Sequence, residues 1–264
     1  MTADPSILVL AGRRSASLDP LAAAAGVTHK SLVPVAGEAM LGRVLRIVEE
    51  AFPGARLFVS VEDFAAVATE PTVARLHAAG RVEPMEARFN IVDSLIEASK
   101  ATGFPLMITT ADNVLMTPAV LREVAARGAQ GSADVLLVMA ERESIRAAHP
   151  DGQRRFYEFR DGGFSNCNLF WLASDRALRT AESFREGGQF AKHPARLLKA
   201  FGLLNLLRFR FGLTTLAGAF GHLSRRFGVE IEPMVVRDGR VAIDVDNERT
   251  LRVAEEILAR ETNA

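Results

Sequence analysis

The sequence predicts an α/β fold in which a mostly parallel sheet lies between two layers of helices. Short apolar runs of strand length alternate with longer segments whose apolar residues recur at helical spacing. Strands that are continuous apolar runs are typical of parallel sheets buried on both faces. Repeated β–α units of this kind build a three-layer α/β/α arrangement with a Rossmann-like sheet, whose ligands bind beyond the carboxyl ends of the strands.

The predicted strands fall into an early and a late group. Four early runs are interpreted as buried strands: 7–11 (ILVLA), 57–61 (LFVSV), 105–110 (PLMITT) and 134–140 (DVLLVMA). In the late group, 155–160 and 164–173 flank the turn Asp161-Gly162-Gly163 and predict a hairpin. Two more strands are expected at 230–235 and 241–246.

Helices are predicted between and after these strands. Helical spacing of apolar residues indicates helices at 39–51, 91–101 and 248–260, and a shorter helical stretch at 63–67. Thr117 followed by Pro118 is typical of an N-cap with proline at the first helical position, which opens a helix to about Arg127. Residues 174–228 predict a helical insertion near the C-terminus, so 1–264 is expected to be a single domain that includes this insertion.

Composition and charge narrow the classes of protein. The chain has 264 residues, of which 48% are hydrophobic, and this suits one large globular domain. Basic and acidic residues number 32 each, so no overall field attracts nucleic acid, and no nucleic-acid partner is expected. The single cysteine, Cys167, cannot form an internal disulfide. No signal-like N-terminus or apolar run of transmembrane length is found, so a cytoplasmic location is expected.

The loop after the first predicted strand is a candidate phosphate site. It begins with Gly12, Arg13 and Arg14, and Lys30 follows further along the chain. Backbone N–H groups in such a loop can face a polyphosphate, while the arginines and the lysine could neutralise its charge. A solvated surface loop has the same composition, so this segment alone leaves both interpretations open.

Asp112 comes directly after the apolar strand 105–110 and Ala111. A carboxylate at the end of a buried strand is costly to leave unpaired, and this position faces the predicted ligand crevice. A hard oxygen ligand there suits Mg²⁺ that is bound jointly with substrate phosphates. The alternative is that Asp112 caps the turn or the helix that begins near Thr117.

Asp244 and Asp246 form a second acidic segment near the C-terminus. Alternation along a strand would put both carboxylates on the same face of the strand end, where they could share a cation. The alternative is an acidic N-cap of the helix that starts at Glu248, stabilised by the helix dipole.

These segments together resemble the MobA-like nucleotidyltransferases, a family that includes the molybdenum-cofactor guanylyltransferase and the methylerythritol-phosphate cytidylyltransferase. The resemblance lies in Leu8-Val9-Leu10-Ala11-Gly12, in Lys30, and in the run 34–41 (PVAGEAML). It extends to Ala111-Asp112 and to the ending 242–251 (AIDVDNERTL). The sequence departs from the family pattern after Gly12, where Arg13-Arg14 stand, and at Val114, where proline is usual.

The resemblance implies a GT-A-like nucleotidyltransferase fold and a set of site residues. The loop Leu10-Ala11-Gly12, with Arg13 or Arg14 in place of some backbone contacts, would wrap the triphosphate, and Lys30 would contact phosphate. Asp112 would bind the metal and Asp246 would supply the second ligand, with Asp244 as the next candidate for that role. Asn90 and Ser94 match the family's spacing of contacts to the base and ribose; a helix N-cap and a first-turn serine are the alternative for this pair.

The acceptor site is expected near the predicted hairpin and insertion. Candidate contacts are Asn166, Asn168, Lys192 and Arg196. The basic and aromatic residues of the insertion also suit peripheral contact with lipid, or a plain helical subdomain with a Phe and Leu core, and these alternatives stay open. No histidine or cysteine cluster has the spacing of a zinc site.

The sequence therefore predicts a transferase of the EC 2.7.7 type, in which Mg²⁺ is the cofactor. An NTP, with CTP or GTP favoured, would donate NMP to a small phosphorylated acceptor and release pyrophosphate. Lys30, Arg13 and Asp112 are the predicted catalytic residues. Two rivals stay open: a GT-A-type glycosyltransferase that uses a nucleotide-sugar, because Asp244-Val245-Asp246 spells its Asp-X-Asp motif, and a non-catalytic nucleotide-binding homologue.

Overall fold

A computed structural model of the chain describes residues 4–13, 17–88, 91–179 and 213–262. Its ten strands are β1 Ser6–Leu10, β2 Pro34–Val35, β3 Glu38–Ala39, β4 Leu57–Val61, β5 Val82–Glu86, β6 Leu106–Thr110, β7 Val135–Glu141, β8 Tyr157–Phe159, β9 Gly162–Leu172 and β10 Ile231–Val236. Its eight α-helices within these ranges are α1 Pro20–Ala25, α2 Met40–Ala51, α3 Pro71–Ala78, α4 Ile91–Thr102, α5 Pro118–Gln130, α6 Arg142–Ala148, α7 Leu216–Phe227 and α8 Glu248–Thr262. Short 3₁₀ turns lie at Lys30–Leu32, Phe64–Ala66, Asp175–Ala177 and Gly239–Ala242.

The central sheet has eight strands, in the order β10-β7-β9-β6-β1-β4-β5, with β8 paired to β9. The pairs β1–β4, β1–β6, β4–β5 and β7–β10 are parallel, whereas β9 runs antiparallel to both β6 and β7. The mostly parallel sheet predicted from the sequence is therefore confirmed. One edge of this sheet carries the carboxyl ends of β1, β4 and β6.

Helices cover both faces of the sheet and enclose two cores. Along β1 the fully buried Ile7 and Val9 pack into one core and Leu8 into the other, because successive side chains of a strand point to opposite faces. The larger core includes apolar residues of α2, α5 and α8, and the smaller one includes residues of α4 and α7. The three-layer arrangement follows from this alternation.

Local sequence signals explain where several helices begin. The Thr117 side chain accepts a hydrogen bond from the Val120 N–H ahead of Pro118, as the sequence predicted. In the same way, Asp19 precedes Pro20 and its side chain accepts a hydrogen bond from the Leu21 N–H at the start of α1. The alanine-rich stretch 21–25 therefore lies in a short helix between β1 and Lys30.

Several boundaries and one strand differ from the prediction. The segment 241–246 is not a strand of the sheet: the chain forms the 3₁₀ turn Gly239–Ala242, where the Asp238 side chain accepts from the Arg240 N–H. The backbone of Gly239 lies against Ser144 of α6, so close that a Cβ atom would fall 2.2 Å from the Ser144 carbonyl. This packing on α6 competes with sheet pairing. Helices α3 and α6 and the edge strand β5 had not been predicted.

The hairpin β8–β9 is confirmed, but its second strand lies inside the sheet. Leu137 of β7 pairs with Phe170, and Met139 pairs with Asn166, so β9 carries two more residues than β7 over this interval. Asn168 lies within this bulge and has a φ of 48°. The bulge re-aims the end of β9 that approaches the carboxyl end of β6.

Part of the predicted insertion 174–228 lies outside the described residues. Within the described part the chain forms the turn Asp175–Ala177 and α7. None of the helices that the structure describes combines the length and apolar character required to cross a membrane.

The contact of α5 with β9 gives a stability prediction. A Cβ atom at Gly128 of α5 would lie 2.4 Å from the ring of Trp171, the single tryptophan of the chain. We expect Gly128→Ala to lower the free energy of unfolding by about 1–3 kcal/mol because of overpacking. Chemical denaturation followed by Trp171 fluorescence measures this change.

Gly221→Ala in α7 is the matched control. The nearest atom to its new methyl group, Arg225 Nη1, would lie at an ordinary 3.7 Å. Here the better helix propensity of alanine should leave stability unchanged or raise it by up to about 1 kcal/mol. Equal effects of the two substitutions would contradict the packing argument.

Candidate active site

The candidate site lies at the carboxyl ends of three adjacent strands. Gly12 and Arg13 follow β1, Glu62 follows β4, and Asp112 follows β6. The ends of β1 and β6 are joined by a hydrogen bond from the Ala111 N–H to the Leu10 carbonyl, 2.9 Å long. The topology alone therefore brings these side chains to one edge of the sheet.

Asp112 lies in a tight, hydrogen-bonded turn after β6. The next residue, Asn113, donates from its backbone N–H to the Thr110 carbonyl, and Arg43 of α2 donates to the Val114 carbonyl at 2.9 Å. The Asp112 side chain is almost fully buried, and its Oδ1 atom has no hydrogen-bond partner among the described residues. A buried carboxylate oxygen without a partner indicates a position built for another group.

The C-terminal acidic segment reaches the same position. The Val245 N–H donates to the Asp112 carbonyl at 3.0 Å, so the segment lies directly against the turn after β6. Thr250 of α8 accepts from the Asp246 N–H at 2.8 Å, which fixes the segment to the start of the last helix. Carboxylate oxygens of Asp112, Asp244 and Asp246 consequently lie within 4.8 Å of one another.

Lys30 connects two of these carboxylates. Its Nζ atom lies 2.7 Å from Oδ2 of Asp112 and 2.8 Å from Oδ1 of Asp246. The lysine side chain is 23% exposed, Asp112 is 11% exposed, and Asp246 is 47% exposed, so the pair with Asp112 is the better shielded from solvent. Lys30 is placed here by the 3₁₀ turn Lys30–Leu32, which precedes the hairpin β2–β3.

The three carboxylates make the site strongly acidic. Burial, together with the negative charges of Asp246 and Asp112, raises the pKa of Asp244 to about 7. Burial alone would lower the pKa of Lys30, but the carboxylates of Asp112 and Asp246 outweigh it and raise that pKa above its ordinary value. Both shifts indicate that the cluster favours additional positive charge.

The donor set fits a divalent cation. Three carboxylates lie close together, and a buried oxygen of one of them has no partner within the ranges that the structure describes. They offer the hard oxygen ligands that Mg²⁺ prefers. The sequence prediction that Asp112, Asp244 and Asp246 come together is consistent with this geometry, although they do so through a loop against Asp112 rather than through a strand.

The loop after β1 is held by a carboxylate that had not been singled out from the sequence. Glu62 accepts a hydrogen bond from the backbone N–H of Arg13, and its Oε1 also lies 3.6 Å from Nε of Arg13. A Cβ atom at Gly12 would lie 2.9 Å from Ala87, so only glycine fits between the loops after β1 and β5. Because β4 is the neighbour of β1, the strand-end rule could have identified Glu62.

The structure places only part of the predicted base-contacting segment. Ser94 of α4 is buried, and its Oγ accepts a hydrogen bond from the Arg88 N–H at 2.7 Å, which holds the loop after β5. Arg14 and Asn90 lie outside the described residues, so their predicted contacts with nucleotide are not located. The nucleotide-binding role of Ser94 stays a prediction.

The predicted acceptor side contains a pair of asparagines in the β9 bulge. Asn168 donates from its backbone N–H to the Asn166 side chain at 3.1 Å, and the Asn166 amide donates to Oδ1 of Asn168. The fully buried Asn113 donates to the Cys167 carbonyl between them at 2.7 Å. Asn113, also missed from the sequence, therefore joins the Asp112 turn to this bulge. Lys192 and Arg196 lie outside the described residues.

Solved structures of nucleotidyltransferases share this fold. A structure titled as a hypothetical transferase from Thermus thermophilus is 25% identical, with a TM-score of 0.77, covering 94% of this chain and 99% of that chain. CMP:2-keto-3-deoxy-manno-octonic acid synthetase complexed with CTP matches with 14% identity and a TM-score of 0.59, over 98% of this chain and 100% of that chain. The fold is therefore that of nucleotidyltransferases.

A second fold neighbour and a sequence profile complete the comparison. 4-Diphosphocytidyl-2C-methyl-D-erythritol synthase from Anaerococcus prevotii is 7% identical, with a TM-score of 0.60, over 97% of each chain. The profile of the MobA-like NTP transferase domain matches residues 7–204, and the chain belongs to this family of nucleotidyltransferases. No curated protein matches the sequence. The resemblance noted in the sequence is thereby confirmed.

His29, next to Lys30, gives a prediction for the dependence of stability on pH. Its side chain is buried, Nδ1 lies 2.9 Å from Thr28 Oγ1, and Nε2 has no hydrogen-bond partner in the described part of the chain. Burial lowers the pKa of His29 from 6.5; Arg13 lowers it further, while the nearby carboxylates of Glu62 and Asp63 oppose the shift. The unfolded chain therefore binds a proton at His29 more readily than the folded protein, so stability falls as the pH drops below 6.5.

We expect His29→Asn to lose less stability between neutral and mildly acidic pH than the wild type. Urea denaturation at a series of pH values measures the free energy of unfolding of both proteins. The carboxylates contribute equally to both, so their contribution cancels in the difference between variant and wild type. His77→Asn, a substitution of an exposed histidine, controls for the loss of an imidazole. Parallel pH profiles for wild type and His29→Asn would contradict the prediction.

Proposed function

We propose that the chain transfers NMP from an NTP, with CTP or GTP favoured, to a small phosphorylated acceptor and releases pyrophosphate in a Mg²⁺-dependent reaction. The observation that supports this most is the cluster of Asp112, Asp244, Asp246 and Lys30 beside the Gly12 loop. It combines ligands for a cation with a lysine for phosphate at the edge of the sheet where this fold binds ligands. The single-domain organisation of 1–264 and the acceptor role of the helical insertion belong to the same proposal.

The residues of the proposed site have separate roles in binding the cation and the nucleotide. Asp112 and Asp246, with Asp244, would hold the Mg²⁺, which supplies positive charge that offsets the negative charge of the phosphate oxygens. Lys30 and Arg13 would neutralise the charge that develops on the triphosphate, while Leu10, Ala11 and Gly12 let the backbone approach it. Ser94 holds the loop that would contact the base and ribose.

The acceptor determines what else the site needs. A phosphate oxygen of the acceptor is already anionic, so it can attack the α-phosphorus without a general base. The new P–O bond forms as the bond to the β-phosphate breaks, and pyrophosphate leaves with the electron pair. Positioning and charge stabilisation therefore account for the catalysis. Asn166 and Asn168, held beside Asp112 through Asn113, are suited to hydrogen-bond the acceptor.

Pyrophosphate release tests the proposed function. The four NTPs are screened with Mg²⁺ and a panel of phosphorylated sugars, polyols and pterins, and pyrophosphate is detected by a coupled assay. Release with CTP or GTP and one acceptor class is expected. Transfer of sugar from a nucleotide-sugar without pyrophosphate would support the glycosyltransferase instead, and nucleotide binding without any turnover would support the non-catalytic homologue.

Removal of one carboxylate gives a specific prediction. Asp112→Asn should lower the rate of pyrophosphate release by at least about 100-fold, because the buried charge that holds the cation is lost. Circular dichroism should show the fold intact, since the side chain makes no described hydrogen bond except that from Lys30. Asp175→Asn is the matched control and should keep full activity. Asp175 is exposed and follows the end of β9, which pairs with the start of β6, so it lies at the other end of the strands from the site. An active Asp112→Asn enzyme would refute the assignment.

A further inference from the structure

Lys30 lies where a cation bound by the acidic cluster would have to lie. Its ammonium group contacts Asp112 and Asp246 at 2.7 and 2.8 Å, and these are two of the three carboxylates suited to a divalent ion. A carboxylate oxygen at these distances from an ammonium group cannot at the same time bind a metal ion in the same direction. Lysine and metal therefore compete for the same ligands.

We infer that Lys30 is a built-in counter-ion that occupies the carboxylates of the resting site and releases them to the metal when nucleotide phosphates bind it. This inference rests on the proposed function, because it assigns the order in which the same site takes its two ligands. When nucleotide binds, Lys30 leaves the carboxylates and the cation can bind to them. Without nucleotide, a divalent ion has to compete with Lys30 for these carboxylates.

The geometry favours an exchange rather than a permanent ion pair. Asp112 contacts Lys30 through Oδ2 alone, and none of the described residues donates a hydrogen bond to its buried Oδ1, so the resting contacts leave the carboxylate incompletely satisfied. The ammonium group stands on a flexible four-carbon stem, which can turn to a phosphate without moving the backbone. A divalent ion could bind both carboxylate oxygens of Asp112, of which the ammonium group contacts only Oδ2.

A second contact in the resting site follows the same logic. The backbone N–H of Arg13, in the loop proposed to wrap the triphosphate, donates to the carboxylate of Glu62. The carboxylate of Glu62 thus occupies an N–H group that would bind phosphate, just as Lys30 occupies carboxylates that would bind the metal. A triphosphate that displaced Glu62 from Arg13 would at the same time offer its oxygens to Lys30.

The exchange makes the affinities for nucleotide and cation depend on each other. If nucleotide removes Lys30 from the carboxylates and so raises the affinity for the cation, the cation raises the affinity for nucleotide by the same factor. Cation binding without nucleotide should be weak because of Lys30, and removal of that one charge should strengthen it.

Binding of Mn²⁺, followed by the loss of its free-ion EPR signal, tests the inference without any turnover. In the absence of nucleotide, Lys30→Met should bind Mn²⁺ about tenfold or more tightly than the wild type, a gain that corresponds to about 1.4 kcal/mol. Lys30→Arg keeps the charge and should bind as weakly as the wild type. Lys100→Met removes an exposed lysine that pairs with Glu97 on α4 and should also match the wild type.

Nucleotide analogues provide the second arm. With the α,β-methylene analogue of CTP or GTP, Mn²⁺ affinity of the wild type should rise, and its difference from Lys30→Met should narrow. Thermal unfolding by circular dichroism confirms that each variant is folded. Lys30→Gln, which keeps a polar end without charge, repeats the first arm and should give the same result as Lys30→Met.

Equal or weaker Mn²⁺ binding by folded Lys30→Met and Lys30→Gln would overturn the inference. An analogue that binds by calorimetry but leaves the Mn²⁺ affinity of the wild type unchanged would also overturn it. The outcome is separable from that of the proposed function: tighter Mn²⁺ binding by Lys30→Met in a protein that turns over no NTP would sustain the exchange and refute the transferase activity proposed above.

Discussion

Three carboxylates crowded at one edge of the sheet are the constraint on which this site depends. Carboxylate oxygens of Asp112, Asp244 and Asp246 come within 4.8 Å of one another, and a positive group that contacts two of these side chains offsets part of their repulsion. In the resting state that group is the ammonium of Lys30. The turn after β6 and the start of α8 hold these carboxylates close together through backbone hydrogen bonds from Val245 and Asp246.

The fold meets this constraint with segments that are distant in the chain. Lys30 comes from the turn before β2, Asp112 from the end of β6, and the last two carboxylates from the loop before α8. Backbone hydrogen bonds, such as that from the Val245 N–H to the Asp112 carbonyl, fix these segments independently of side-chain charge. The position of the backbone at this site therefore does not depend on which positive group neutralises the carboxylates.

Much of this architecture could be predicted because it depends on local signals. Apolar runs identified β1, β4, β6 and β7, and strand-end chemistry identified Asp112 before any geometry was known. The bulge in β9 and the position of that strand between β6 and β7 could not be predicted, because pairing of distant strands leaves no local pattern. The failed strand at 241–246 shows the same limit: its alternation is real, but packing of Gly239 on Ser144 decides its path.

The late arrival of the acidic segment has a consequence for the growing polypeptide. A ribosome releases β1, Lys30 and Asp112 long before Asp244 and Asp246, and β9 must emerge before β7 and β6 can be joined. During synthesis Lys30 and Asp112 are thus both present before the two other carboxylates of this site. Of the ion pairs at this site, the one between Lys30 and Asp112 can therefore form first, and the partner of Asp246 is already in place when the C-terminal segment arrives.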